Sequence, residues 1–127
     1  MNLSEIIDGP VAGCPGRAAI ILGDDTWTYA DLGDVVASTA ARLADEGARR
    51  GQRVPVVATS SPLTLAGVLA AARLGGAGAA LNPQLTVEEL ARLWQLAGLA
   101  GVGVADGGHA EALRAAMDGH RTVLTED

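Results

Sequence analysis

Between Leu63 and Leu81 the chain carries a single charge, Arg73, and the run is broken in the middle by Gly75 and Gly76. A stretch this apolar has to be buried, in a bilayer or in a protein core. One membrane-spanning helix is the poorer solution, because Arg73 and the paired glycines interrupt it and alanine contributes little to insertion. The same residues read well as a helix, a glycine break and a strand. Ser60 or Ser61 can cap the helix with Pro62 in its first turn, and Gly75 and Gly76 stop it. Leu65, Val68, Leu69 and Ala72 form one apolar stripe, expected to face the protein's own sheet. Leu63, Ala66, Ala70 and Leu74 form a second stripe roughly opposite. Its cover must come from the rest of a larger body, another subunit or a piece of this chain folded over it, which makes those four residues the candidate interface.

Strand and helix signals alternate on either side of this stretch. Ala18 to Leu22 and Trp27 to Tyr29 flank the turn signal "GDD" and predict a hairpin. Thr28 and Asp31 match a capping box, and Leu32, Val35, Val36, Ala40 and Leu43 then recur at helical spacing up to Gly47. Val54 to Ala58 reads as a strand, and Pro55 within it predicts an edge position, since proline cannot donate to a ladder. Ala77 to Leu81, "AGAAL", reads as a strand whose small side chains imply close approach of another layer. Thr86 and Glu89 open a further helix with Val87, Leu90, Ala91, Trp94 and Ala97 on one face. Gly101 to Ala105, Ala110 to Met117 and Thr122 to Leu124 continue as strand, helix and strand. The alternation predicts an α/β fold, a mostly parallel sheet flanked by helices with an N-terminal β-hairpin. Residues 1–127 are expected to form one domain, with 1–17 as an N-terminal segment.

Composition narrows the chemistry. Hydrophobic residues make up 49% of the chain with no Phe, one Tyr and two Trp, so the core must be built from Ala, Val and Leu packed closely. A net charge of −6 without a basic stripe disfavours nucleic acid and anionic membrane surfaces as partners. Cys14 is the single cysteine, and "MNLSEIIDGP" lacks the basic segment and apolar run of a signal peptide, so a cytoplasmic setting is expected. Cys14 has no neighbouring cation to activate it. His109 and His120 have no Cys near either, which leaves no metal-ligand spacing.

The glycine-rich and acidic motifs read as structure. "GGAG" at Gly75 to Gly78 precedes a strand instead of following one, and "GVGVADGG" has Asp106 where a dinucleotide fingerprint needs its third glycine. "GDD" at Gly23 to Asp25 lacks the further acids that a cation site needs. No Ser sits in a G-x-S-x-G setting. These residues name no catalytic, cofactor-binding or metal-ligating group.

Taken in order from Cys14 to Asp106, the segments "PGRAAIILGDDTWTYADL" and "GARRGQRVPVVATSSPLTLAGVLAAARLGGAGAALNPQLTVEEL" resemble the N-terminal part of the adenylate-forming superfamily. That superfamily comprises acyl-CoA and aryl-CoA synthetases, adenylation domains of nonribosomal peptide synthetases, and luciferases. The resemblance rests on Thr28-Tyr29, Gly51, Arg53, Ser61-Pro62, Gly76-Ala77, Leu81-Asn82-Pro83 and Glu88-Glu89-Leu90. Ser60, Leu63, Ala80 and Pro55 depart from the usual pattern. The family's Lys-bearing phosphate loop, its adenine- and ribose-binding segments and its C-terminal catalytic Lys have no counterpart among these residues. The resemblance therefore implies a part of an AMP-forming acyl- or aryl-acid ligase that is not catalytic by itself. ATP and Mg would be cofactors only together with a complementary chain, and the expected partner is that chain or a second copy. A stand-alone interaction protein acting on itself or on a ligase, and a small acyl- or aryl-acid-binding module, remain open.

Overall fold

The computed structural model describes residues 2–118 and 120–124. A 3-10 turn at Leu3–Ile7 leads into a short helix α1 at Asp8–Gly13, and β1 (Ala18–Leu22) and β2 (Asp25–Thr28) then form an antiparallel hairpin. Five elements alternate after α2 (Tyr29–Asp45): β3 (Arg53–Val57), α3 (Pro62–Arg73), β4 (Ala77–Leu81), α4 (Val87–Ala97) and β5 (Val102–Ala105). Helix α5 (Gly107–Ala116) and β6 (Arg121–Leu124) complete the series. Strands β3 to β6 make one parallel sheet in the order β4-β3-β5-β6. The predicted architecture of hairpin plus parallel sheet is the observed one. Both capping boxes form, Thr28 with Asp31 and Thr86 with Glu89, each side chain satisfying the other residue's backbone N–H. Among the described residues no helix is long and apolar enough to cross a membrane.

Strand β3 lies between β4 and β5, which overturns the edge position expected from Pro55. The physical reason is an irregular ladder. Arg53 bridges Leu99 and Val56 pairs with Val104, so three steps along β3 are matched by five on the other side. The proline stands where this ladder is interrupted, and its missing N–H costs no regular pairing there. Its ring is among the fully buried side chains. On the other side of β3 the pairing with β4 runs without a break from Arg53–Ala77 to Val57–Leu81.

Helix α3 is the centre of the packing. Gly67, Ala70 and Ala71 face the sheet, where a Cβ on Gly67 would lie 3.0 Å from Val56 and 3.2 Å from Val104. Ala66 and Leu69 point the other way and are covered by Ile7, Leu32 and Val36, with Val11, Ala19, Ile20, Trp27 and Val35 around them. The stripe expected to lie open is therefore closed by the chain itself: Leu63, Ala66 and Ala70 are buried, and Leu74 is half-buried against the sheet-side core. The proposed interface on Leu63, Ala66, Ala70 and Leu74 is corrected accordingly. The expected inner stripe is corrected as well, since Leu65 is 43% exposed and Val68 half-buried. The smallest side chains turn toward the sheet because they let backbone approach backbone, and the larger Leu65 is rotated outward. The close approach read from "AGAAL" is present, a Cβ on Gly78 falling 2.8 Å from Val68 Cα.

Arg73, the one charge of the apolar stretch, ties the N-terminal turn to α3. Its guanidinium donates to the Ser4 carbonyl at 3.3 Å and to Asp8 Oδ1 at 3.1 Å. Asn2 adds a hydrogen bond from its amide to the Ala72 carbonyl. The Arg73–Asp8 pair is exposed and contributes little energy, so the buried Ile7 holds the segment and the polar contacts fix its register.

The opposite face of the sheet packs on α4 and α5 through Val57, Leu81, Leu90, Trp94, Leu99, Ala105 and Leu113. His120 is buried in this layer, edge-on to Trp94 with ring centroids 4.9 Å apart. Neither ring nitrogen of His120 nor Trp94 Nε1 has a hydrogen-bond partner among the described residues. Burial first, and the Arg114 charge second, hold His120 at about 4, well below 6.5. Between those values the unfolded chain binds a proton that the folded chain excludes, so stability falls as pH drops from 6.5 toward 4. The full effect is on the order of 3 kcal/mol. His120→Leu should remove this increment. Urea unfolding at about pH 7 and about pH 4.5 checks it: the native chain should lose more stability on acidification than the variant, and equal losses would contradict the assignment.

Candidate functional site

The order β4-β3-β5-β6 means that the chain builds outward from β3 in one direction and then crosses to the other. A crevice opens at such a reversal, outside the carboxyl ends of the two central strands, and open α/β sheets place ligands there. Here the crevice lies beyond Val57 on β3 and Ala105 on β5. Val56, Val57, Leu63, Val104 and Ala105 form its apolar walls, and Thr59, Thr64 and Asp106 its polar groups.

Each polar group is set by a helix start. Ser61 caps α3, accepting from Leu63 N–H at 3.2 Å, while Thr64 Oγ1 accepts from Thr59 N–H at 3.1 Å and donates to Thr59 O at 3.0 Å. The loop between β3 and α3 is thus pinned to the first turn of the helix. Asp106 caps α5. Its Oδ1 accepts from His109 N–H at 3.0 Å and lies 2.7 Å from His109 Nδ1. Burial alone would raise the Asp106 carboxyl. The His109 side-chain hydrogen bond and charge, with the backbone N–H groups of His109 and Gly108, outweigh it and hold the group below its ordinary value.

The crevice encloses only about 10 Å3. Ligand sites typically span about 300–1,000 Å3. Among the described residues no Lys, Arg or His lines it, and the formal charge they bring is the negative Asp106. Such a surface can orient a neighbouring group through backbone and hydroxyl, but it offers no cation for charge that develops on a phosphate.

The sequence motifs occupy structural positions. "GVGVADGG" supplies β5, the Asp106 cap and the first turn of α5, and "GGAG" supplies a positive-φ turn at Gly75 (φ 82°) and the start of β4. Cys14 is half-buried at the end of α1. Among the described residues no three His, Cys, Asp or Glu side chains come together as a metal site. Of the expected interface residues only Leu63 reaches the crevice. The Asp106–His109 pair was not read from the sequence, although a cap residue followed three positions later by His was the available signal.

Residues 8–126 match the family described as AMP-binding enzyme. The chain belongs to the AMP-binding enzyme family. It is 36% identical over 92 residues to 3-hydroxybenzoate–CoA ligase of Aromatoleum sp. strain CIB, covering 71% of this chain and 18% of that protein. It is 29% identical over 83 residues to tyrocidine synthase 3 of Brevibacillus parabrevis, covering 65% of this chain and 1% of that one. In structure it resembles VinN, with a TM-score of 0.85 at 24% identity over 96% of this chain and 33% of that chain. The chain thus spans less than a fifth of the length of these curated relatives. It corresponds to an N-terminal portion of the AMP-binding fold.

The cap at Asp106 gives the site a direct test. Asp106→Ala should lower stability by about 1 kcal/mol, the worth of an N-cap, whereas Asp106→Asn keeps the capping oxygen and should cost less. Denaturant midpoints for the two variants check this, and equal losses would show that the cap is not what holds α5 at the crevice.

Proposed function

We propose that this chain is a scaffold part of an AMP-forming acyl- or aryl-acid ligase, not catalytic by itself, that needs a complementary portion for carboxylate adenylation. The observation that carries the reading is the crevice at the β3/β5 reversal, built as a ligand-facing edge yet lined by no cation among the described residues. Adenylation moves negative charge onto departing pyrophosphate, and that charge needs donors and a metal that the complementary portion would bring. Asp106, Thr59 and Thr64 would then shape one wall of a site completed from outside. ATP and Mg2+ belong to the assembled enzyme, and this chain alone holds neither. The partner is a protein, with neither nucleic acid nor membrane involved, and the setting is the reducing cytoplasm. A space of about 10 Å3 argues against a separate role as an acid-binding module.

The test is acid-dependent ATP–pyrophosphate exchange with benzoate and 3-hydroxybenzoate as probes. The chain would be assayed alone and co-expressed with the portion of 3-hydroxybenzoate–CoA ligase that follows its matching segment. The chain alone should give background exchange, and the pair should exceed the complement by itself. Exchange by the chain alone, or tight ATP–Mg2+ binding to it by calorimetry, would falsify this reading.

A further inference from the structure

From Asn2 to Gly13 the chain lies on the body without being stitched into it. Among the described residues no backbone hydrogen bond ties this segment to anything beyond Cys14: Glu5 N–H donates to Asn2 O, Asp8 N–H to Glu5 O, and Cys14 N–H back to Pro10 O. The residues that follow are anchored. Pro15 O accepts from Ala30 N–H and Arg17 O from Tyr29 N–H, both at 3.0 Å, so the boundary falls at Cys14. Within the segment Gly9, Pro10 and Gly13 disfavour helix, and α1 is too short to be stable on its own. Its outward side leaves Leu3 52% and Ile6 58% exposed.

What holds the segment is a recess on α2 and α3. Ile7 fills it, buried against Leu32, Val36, Ala66 and Leu69. Beside it Val11 lies over Gly33, where a Cβ would come within 3.2 Å of Val11 Cγ2, so the missing side chain on α2 gives the segment a close seat. The polar ties gather at the end of α3. Arg73 reaches both the Ser4 carbonyl and Asp8, and the Asn2 amide reaches the Ala72 carbonyl. The recess therefore recognises one branched aliphatic anchor, an acid directly after it and a free carbonyl three residues before it.

We propose that residues 2–13 are a strap that lifts as a unit about Cys14 while the rest of the chain stays folded, and that the recess beneath it binds this same segment as a free peptide. The inference is independent of the scaffold reading above. One anchoring side chain, an exposed ion pair and a few polar ties hold the strap, whereas the body is held by the clusters on both faces of its sheet. A segment with so few buried contacts opens at a lower free energy than the whole. Lifting it leaves Gly67, Ala70 and Ala71 packed on the sheet, so α3 keeps its place. What the opening uncovers is the Ala66 and Leu69 face of a helix that has no polar side, and the strap thereby controls access to that face.

Two measurements on the 127-residue chain test this. In native-state hydrogen exchange the Glu5, Asp8 and Cys14 amides should exchange together, at least about tenfold faster than Val36 and Leu69 and with a shallower dependence on urea. Arg73→Gln should speed the strap amides further and leave Val36 and Leu69 unchanged. Exchange of all these amides at one rate with one urea dependence overturns the proposal, because the segment would then open only with the body. The second measurement is titration with a synthetic peptide of residues 2–13, NLSEIIDGPVAG, followed by NMR at the Ala66 and Leu69 amides. Full-length Ile7→Asp should stay folded with its strap lifted, and should bind the peptide about tenfold or more tightly than wild type, whose own strap competes. A peptide carrying the same Ile7→Asp change should bind neither. A folded Ile7→Asp chain that shows no shifts at Ala66 and Leu69 up to about 5 mM peptide also overturns the proposal. Should that variant not fold, the exchange pattern of the wild-type chain decides.

Discussion

Helix α3 has no polar face, and the rest of the chain is arranged around that constraint. Such a helix cannot lie on a surface, so it must have apolar partners on more than one side. The sheet supplies one through Val54, Val56 and Val104. The other comes from α2 and the N-terminal turn through Leu32, Val36 and Ile7. Because the buried residues are mostly Ala and Gly, each contact contributes little area, and the gain comes from close backbone approach over the whole helix. The N-terminal residues, which a sequence reading leaves as a tail, are part of the core for this reason. Arg73 resolves the apparent conflict of a charge in an apolar run by emerging where it can bind Ser4 and Asp8.

The same arrangement fixes the crevice. Burying α3 against β3 and β5 aims its first turn at the carboxyl ends of those strands, beside the first turn of α5. Thr64 and Asp106 reach the crevice because they are the opening residues of those helices. The geometry gives positions and hydrogen-bond capacity with no cation among the described lining residues, and this is why the proposed role is a wall and scaffold instead of a reaction centre.

Much of the fold was legible because local chemistry and global packing agree. Both capping boxes and the strand at Ala77–Leu81 stand where side-chain type required them. The failures have physical causes. Pro55 suggested an edge, but a break in pairing, invisible to periodicity, lets it sit centrally. The stripe rule assigned the largest residues of α3 to the sheet, whereas tight helix–sheet contact selected Gly67, Ala70 and Ala71. Helix α1 escaped notice because Gly9, Pro10 and Gly13 are poor helix formers that tertiary contacts override. The crevice was less legible still, because strand order is not written in any one segment, and Asp106 and His109 acquire meaning only at the sheet's reversal.

The central claim is that these residues cover α3 by themselves, and native-state hydrogen exchange on the isolated chain tests it most directly. If the account holds, the amides of Leu69 to Ala72 exchange only through the opening that releases β3, with protection equal to that of Val56 and Val57. Rapid exchange along α3 while β3 stays protected would show that the helix lacks its cover in this chain, and would contradict the account.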